Sequence, residues 1–501
     1  MLGVILAIAY SAVFIFLIRK LSFFQVEGIS KNALTLAFIV KIIFGFIFWA
    51  VYATYSKYQN RADAFLYFDD GLAIYKALFE HPLDYFRILL GSSDPALDHY
   101  IQNTGHWNMV YIQGIYNETR TIIRFNAIAD IFSFGNYHVH TIFICFLSLA
   151  GLTGIYKMLL PYLSSKKTEL FIIIFFLPSV LFWGSGVLKE GLILFSMGML
   201  LYYCNCILKE GFSIRKIILA ILFTWLLAIT KLYLLLILFP ALISYAWILK
   251  TGNRKPEMKF IIVFAVCVIP AILIPNYNLP FKLMDKQRQN IYMANGGSLI
   301  GKPEENKFIY IKPEILNRII YLKAKPGYCK IVSGVPYTSW YFDNFTDSAY
   351  VMHSADTSIY WIYYNLSKAG SVIDIPLLYP SYSSVLKNSP VAFLNTAFRP
   401  HLLEAKNPLM LMSALENSLI IAFILLCVFF YSKKIQHRHI IYFCFSIVIL
   451  LFVLTGLTTP ILGAAVRYKM PVLPFFLIPF LMILDKEIFL RGFPFLKRFI
   501  G

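Results

Sequence analysis

The chain has 501 residues, 59% of them hydrophobic and 14% charged, with a formal net charge of +19. A soluble domain carries about 25% charged and about 45–50% apolar residues, so a water-soluble fold around one core is excluded and a membrane is the natural solvent. Lys and Arg fall mostly in short links between apolar runs, which is the pattern of the positive-inside rule, and no RNA- or DNA-binding motif supports a nucleic-acid partner.

Residues 1–18 are apolar and are followed by Arg19 and Lys20. A cleavable leader carries its charge before the apolar run. The reverse order predicts an uncleaved first span with its N-terminus outside. A spanning helix needs about 20 apolar residues, so the chain reads as an all-α polytopic membrane protein with about eleven transmembrane helices. They lie near 2–18, 34–54, 138–156, 169–187, 190–207, 216–230, 232–249, 260–275, 413–431, 440–457 and 471–485. The stretch 216–249 also reads as one broken helix.

The links alternate in charge. Arg19, Lys20 and Lys31 follow the first span, and Lys157, Lys166 and Lys167 the third. Lys209, Arg215 and Lys216 follow the fifth, and Lys250, Arg254, Lys255 and Lys259 the seventh. Lys433, Lys434 and Arg438 follow the ninth, and Lys486, Arg491, Lys497 and Arg498 sit in the tail. All fall on one side, which the rule makes cytoplasmic. The chain then divides into two spans over 1–55, an external acidic loop with interfacial helices over 56–137, and spans three to eight over 138–275. A second large external loop covers 276–412, and the last three spans and a basic tail cover 413–501.

The first loop opens at Asp63, and apolar residues at 65, 66, 68, 72, 74 and 78 predict an amphipathic helix lying on the membrane surface. Asp63 reads either as a helix cap or as a general base. Asp69 and Asp70 follow on the same helix. The second loop carries turn signals such as Asn295-Gly296-Gly297 and many aromatic residues. His138 and His140 read as packing. Six of the seven cysteines lie in apolar runs and only Cys329 in a polar loop, so no disulfide framework is available.

Asp63, Lys189, Glu190, Lys231, Arg399, Arg467 and Lys469 all fall on the non-cytoplasmic side. Each alone could be a snorkelling anchor. Their convergence on one face points to a site, because ionisable groups at span ends are costly unless paired or working. Pro178 to Gly191 is rich in small residues and reads as a sharp turn presenting Lys189 and Glu190, or as a plain hairpin. Lys231 interrupts an apolar run, where a lipid phosphate would neutralise it. Arg467-Tyr468-Lys469 offers a second cationic site, and Phe398-Arg399-Pro400-His401 a third, ahead of the span carrying Glu416 and Asn417. There is no Walker loop, Gly-x-Gly-x-x-Gly or His-Glu-x-x-His motif.

At these residues the chain resembles the GT-C superfamily of lipid-linked-sugar glycosyltransferases, which includes protein O-mannosyltransferases and aminoarabinose transferases. Four features match in order: Asp63-Ala-x-x-Tyr67 opening the external loop, Leu188-Lys189-Glu190, Thr230-Lys231 before Pro240, and Arg467-Tyr468-x-x-Pro471-x-x-Pro474. An extra span precedes the acidic loop, and the second loop sits between spans rather than at the C-terminus. The family often has a second acid in the first loop, here Asp69 or Asp70.

The resemblance implies a polyprenyl-phosphate-linked sugar donor, a glycan, lipid or protein acceptor, and an active site facing the periplasm across a bacterial inner membrane. Asp63 would deprotonate the acceptor. Lys231, Arg467 and Arg399 would hold the leaving phosphate, and Glu190 would orient Lys189 or contact the sugar. Asp69, Asp70, Lys189, Tyr468 and Lys469 complete the expected substrate contacts. No metal ligands are expected from the residues; a divalent cation is the one cofactor left open. Two rivals stay open: an O-antigen or exopolysaccharide polymerase or ligase, which would lean on Arg399 and Arg467, and a lipid-linked glycan flippase or transporter.

Overall fold

The computed structural model describes residues 2–54, 62–92, 94–102, 104–107, 118–273, 278–302, 307–322, 328–332, 336–339, 350–351, 359–433 and 435–493. Lys434, Lys497 and Arg498 of the expected basic links lie outside the described residues, as do the first residues of both large loops.

The first helices are α1 (Leu2–Lys20), α2 (Lys31–Thr54), α3 (Asp63–Glu80), α4 (Pro82–Leu89), α5 (Asp98–Ile101) and α6 (Glu118–Ser133). Next come α7 (Tyr137–Leu159), α8 (Lys167–Phe175), α9 (Pro178–Trp183), α10 (Lys189–Glu210), α11 (Ile214–Thr251) and α12 (Pro256–Leu273). After them lie α13 (Leu279–Asn295), α14 (Tyr382–Phe398), α15 (Pro408–Phe429), α16 (Arg438–Thr458), α17 (Leu462–Lys469), α18 (Leu473–Ile483) and α19 (Lys486–Gly492). Among the described residues, 8 helical segments are long and apolar enough to cross a membrane. The chain is a multi-pass, predominantly helical membrane protein.

The longest run, α11, has 38 residues, or about 57 Å at 1.5 Å per residue, nearly twice a hydrocarbon core of about 30 Å. It folds back at Lys231, whose φ of −156° and ψ of 83° are extended. The first half stacks Phe223 on Tyr203 with ring centroids 5.8 Å apart. The second half places the Tyr245 hydroxyl 2.8 Å from Asn205 Oδ1. Both halves thus reach the same end of α10, which a straight helix cannot do.

Pro178 interrupts the run between α8 and α10. Leu177 before it is extended (φ −60°, ψ 127°), as the residue preceding a proline prefers. The six-residue helix α9 then sits buried with both ends served by neighbours. The Glu416 carboxylate of α15 accepts from the Ser179 backbone N–H at 2.9 Å and from the Ser179 hydroxyl. Lys41 of α2 donates to the Gly184 carbonyl at 3.2 Å. An acid at the N-terminus and a cation at the C-terminus complement the helix dipole, and they satisfy backbone groups that lipid cannot. Where α7 crosses α10, a Cβ on Gly151 would lie 2.0 Å from the Leu194 carbonyl oxygen, so this crossing depends on glycine.

The contacts sort the polar residues into two ends. At one, Lys157 lies over the Phe23 ring, Lys209 over Tyr162, and Lys486 pairs with Glu169 at 3.1 Å. At the other, the acidic first loop meets Lys189, Lys231 and Arg467.

Helix α3 forms where expected, and one of its faces is covered by the protein itself. Ala64, Tyr67, Ile74 and Ala77 are buried, and α3 packs along α6. Exposed large apolar residues among the described part of this loop are Phe79, Leu83, Phe86 and Leu90 around α4, and Ile128, Ile131, Phe132 and Phe134 at the end of α6. The second loop differs from a purely helical expectation. Between α13 and α14 lies a seven-stranded sheet in the order β3-β4-β7-β1-β2-β5-β6. Its strands are β1 (Gly297–Lys302), β2 (Lys307–Ile311), β3 (Ile319–Tyr321), β4 (Tyr328–Ile331), β5 (Pro336–Ser339), β6 (Tyr350–Val351) and β7 (Tyr360–Leu366), with antiparallel pairing. Ile300, Ile309, Ile311, Ile331 and Tyr360 form its core. Helix α13 is pinned to the end of α16: the Gln287 amide donates to the Leu457 carbonyl at 2.6 Å and the Asn290 amide to the Thr458 carbonyl at 2.7 Å.

Candidate functional site

Four separated stretches meet at the end of the helices where the first loop packs. Asp63 stands in the first turn of α3, where the helix dipole favours a carboxylate. Lys189 and Glu190 open α10 after the Gly184–Gly186 turn. Lys231 sits at the fold-back of α11, and Arg467 on α17.

Arg467 joins two carboxylates. Its Nε and Nη2 donate to Glu190 at 2.5 and 3.1 Å, and its Nη1 donates to Asp63 Oδ2 at 3.0 Å. Trp183 places its ring 5.9 Å from the guanidinium. The two acids differ in access: the Glu190 side chain is 3% exposed and that of Asp63 46%. Burial alone would raise the Asp63 pKa, but Arg467 and His106 hold the carboxyl below its usual range. The His106 Nε2 lies 4.0 Å from Asp63 Oδ1.

Beside this cluster, Glu118 bridges the two lysines. Lys189 reaches its Oε1 at 3.2 Å and Lys231 its Oε2 at 2.5 Å. Lys189 also donates to the Thr119 hydroxyl at 3.1 Å. Against the burial that would raise it, the two lysines hold the Glu118 carboxyl down to about 2. Tyr67 lies under Lys189, and Tyr233 and Tyr468 under Lys231, at 5.3–5.5 Å. Thr121 of α6 donates to the Ile229 carbonyl at 2.8 Å, which satisfies backbone freed by the fold-back. Helix α6 is thus docked on the α11 tip by a charge and by a hydroxyl.

A cavity of about 650 Å³ opens on Asp63, Arg467 and Tyr468, with Trp183 and Tyr52 also in its wall. The Asp63 carboxylate, the Arg467 guanidinium and this space are therefore contiguous.

Of the residues expected from sequence, the structure brings together Asp63, Lys189, Glu190, Lys231, Arg467 and Tyr468, and leaves four apart. Asp69 is exposed on α3, away from the cluster. Asp70 is buried and accepts backbone N–H groups of Gly105, His106 and Trp107 at 2.8–2.9 Å, so it shapes the loop that carries His106. Arg399 is turned to Glu404, with its Nε 2.8 Å from Oε1. Lys469 is buried and donates to the Thr396 and Ala397 carbonyls and to Asn417 Oδ1 at 2.9–3.2 Å. Glu190 does not orient Lys189; its carboxylate is bound edge-on by Arg467. His140 is buried, its ring nitrogens 2.9 Å from Asp130 and Asn126.

Sequence reasoning missed Glu118. It lies in the acidic first loop, and a signal for it existed: two buried lysines on one face require a counter-charge. No spacing identifies it, since it stands 71 residues from Lys189. No group of three or more metal-ligating side chains is assembled among the described residues. No family model, characterised protein or solved structure matches the chain.

Proposed function

We propose that the protein is an integral membrane glycosyltransferase of the GT-C type. It transfers a sugar from a polyprenyl-phosphate-linked donor to an acceptor at the external membrane surface, in assembly of a cell-surface glycan. The observation that carries this reading is the half-exposed Asp63 carboxylate, fixed by Arg467 at the wall of a cavity and flanked by the Glu118-bridged lysines. A carboxylate at a cavity beside clustered cations suits attack by a hydroxyl on a phosphate-linked sugar.

In this reaction Asp63 takes the proton of the acceptor hydroxyl. The acceptor oxygen forms a bond to the anomeric carbon through an oxocarbenium-like state. The bond from that carbon to the lipid phosphate oxygen breaks, and its electron pair leaves with the phosphate. Lys189, Lys231 and Arg467 stabilise that developing charge. Glu190 keeps Arg467 oriented and has no direct chemical step. Tyr468 lies under Lys231 and forms part of the cavity wall.

Eleven spans result when the fold-back at Lys231 is counted as two spans and the α8–α9 pair and α12 are added to the 8 long apolar segments. The basic links then face the cytoplasm by the positive-inside rule, and the site faces the periplasm of a bacterial inner membrane, level with lipid phosphates. A polymerase or ligase resting on Arg399 and Arg467 together finds less support, because Arg399 is turned to Glu404 and does not line the cavity that Arg467 lines.

The test is mass spectrometry of lipid-linked glycans from cells whose copy carries Asp63→Asn. One polyprenyl-linked sugar should accumulate on the external face. Unchanged glycan length and yield, with normal protein levels, would sink the transferase reading.

A further inference from the structure

The cavity beside Asp63 has a wall that the transfer chemistry does not use. It comes from the second external loop, where β7 delivers Ser367, Lys368, Ala369, Gly370 and Ser371 to the side of the cavity. The backbone of this stretch is pinned. The Ala369 N–H donates to the Ala294 carbonyl at 2.9 Å, the Leu462 N–H to the Ser371 carbonyl at 2.9 Å, and the Ile373 N–H to the Pro460 carbonyl at 2.8 Å. The segment is therefore a fixed wall with small side chains, and it leaves volume for a ligand rather than filling it.

The lining has a definite chemistry. Trp183 and Tyr52 offer flat aromatic faces, and Ser367, Asn407 and Ser413 offer polar groups. Aromatic faces with a few hydrogen-bonding groups suit a sugar ring, which has apolar C–H faces and a polar rim. A volume of about 650 Å³ lies within the roughly 300–1,000 Å³ of ligand sites.

Charge adds the specificity. Arg467 is already held by two carboxylates. Lys368 is exposed and makes no ion pair among the described residues. Among the described residues it is a cation without a counter-charge, in a stretch (367–371) otherwise made of small neutral residues.

We infer that this cavity is the acceptor subsite and that it takes a glycan bearing a carboxylate, which Lys368 holds while a hydroxyl of the same glycan faces Asp63. The inference rests on the glycosyl-transfer reading and names the acceptor class for it.

The experiment uses the full-length protein in lipid nanodiscs, with digalacturonic acid and the uncharged disaccharide lactose as probes, followed by saturation-transfer NMR and calorimetry. The wild type should bind digalacturonic acid more tightly than lactose by about tenfold. Lys368→Glu should abolish that preference, and Lys368→Arg should retain it. Equal binding of the two probes, no binding of either, or a preference unchanged in Lys368→Glu would overturn the inference. Asp63→Asn separates the two ideas. Transfer lost in that variant without any preference for the acidic probe removes the subsite and leaves the transferase. A Lys368-dependent preference, with glycan length and yield unchanged in cells carrying Asp63→Asn, removes the Asp63-based transfer reading and leaves a site for an acidic glycan.

Discussion

Arg467 and Glu190 stand 277 residues apart in the chain, yet they form a two-point contact in which Nε and Nη2 each meet a different carboxylate oxygen. Such a fork fixes the guanidinium plane, and the third nitrogen is left aimed at Asp63. Arg467→Lys keeps the charge but cannot reach both acids in this geometry. Transfer should fall by about 10²–10³-fold, the scale of losing one preorganised electrostatic contact, with folding retained. The rate at which isolated membranes consume a polyprenyl-linked sugar checks it; Arg467→Lys activity near wild type would show that the fork is unimportant.

Glu118 is the counter-charge of two poorly exposed lysines, with side-chain exposures of 7% for Lys189 and 9% for Lys231. Its own side chain is 42% exposed, so water screens part of the interaction. Glu118→Gln should destabilise the purified protein measurably, by less than the about 3–5 kcal/mol of breaking a fully buried pair. Because its folded pKa lies below the ordinary carboxylate value, its contribution is complete above about 4.5 and is lost as pH falls towards about 2. Asp63, also lowered, adds in the same direction. Thermal unfolding in detergent should be steady from neutral pH to about 5 and drop below about 4.5. Glu118→Gln should remove part of that drop.

The adjacent acids Asp69 and Asp70 should behave differently. Asp70 accepts three backbone N–H groups in the segment that carries His106. Asp70→Ala leaves buried donors unpaired and should cost about 1–3 kcal/mol, together with activity. Asp69→Ala, at an exposed position, should stay within about 0.5 kcal/mol of wild type. Parallel melting curves and transfer rates distinguish them, and equal losses in both would contradict this placement.

Helix α9 should be sensitive at both ends to residues outside it. Lys41→Met removes the donor to the Gly184 carbonyl, and Glu416→Gln weakens the bonds to Ser179. Each should lower stability by about 1–3 kcal/mol, because lipid supplies no replacement partner. Chemical denaturation in mixed micelles measures it. A midpoint unchanged in Lys41→Met would show that water reaches Gly184.

The sequence by itself determined the membrane class and the alternation of basic links, since apolar run length and the positive-inside bias are one-dimensional quantities; it left 216–249 open between two spans and one broken helix, and the structure places the break at Lys231. It also isolated Asp63, Lys189, Glu190, Lys231 and Arg467 as ionisable groups out of place at the ends of apolar runs. Only the tertiary structure decided which acid answers which cation: Glu190 to Arg467, and Glu118 to both lysines. Pairing energy depends on distances between side chains far apart in the chain, and no local spacing encodes them. The same holds for Asp70, Arg399 and Lys469, whose hydrogen bonds within the fold occupy the atoms that made them plausible ligands. The sheet of the second loop was not legible because its strands are short and interrupted by turn residues. The approach of residues 367–371, which follow β7, to the cavity beside Asp63 arises from the backbone bonds of residues 369, 371 and 373 to residues brought near only by folding.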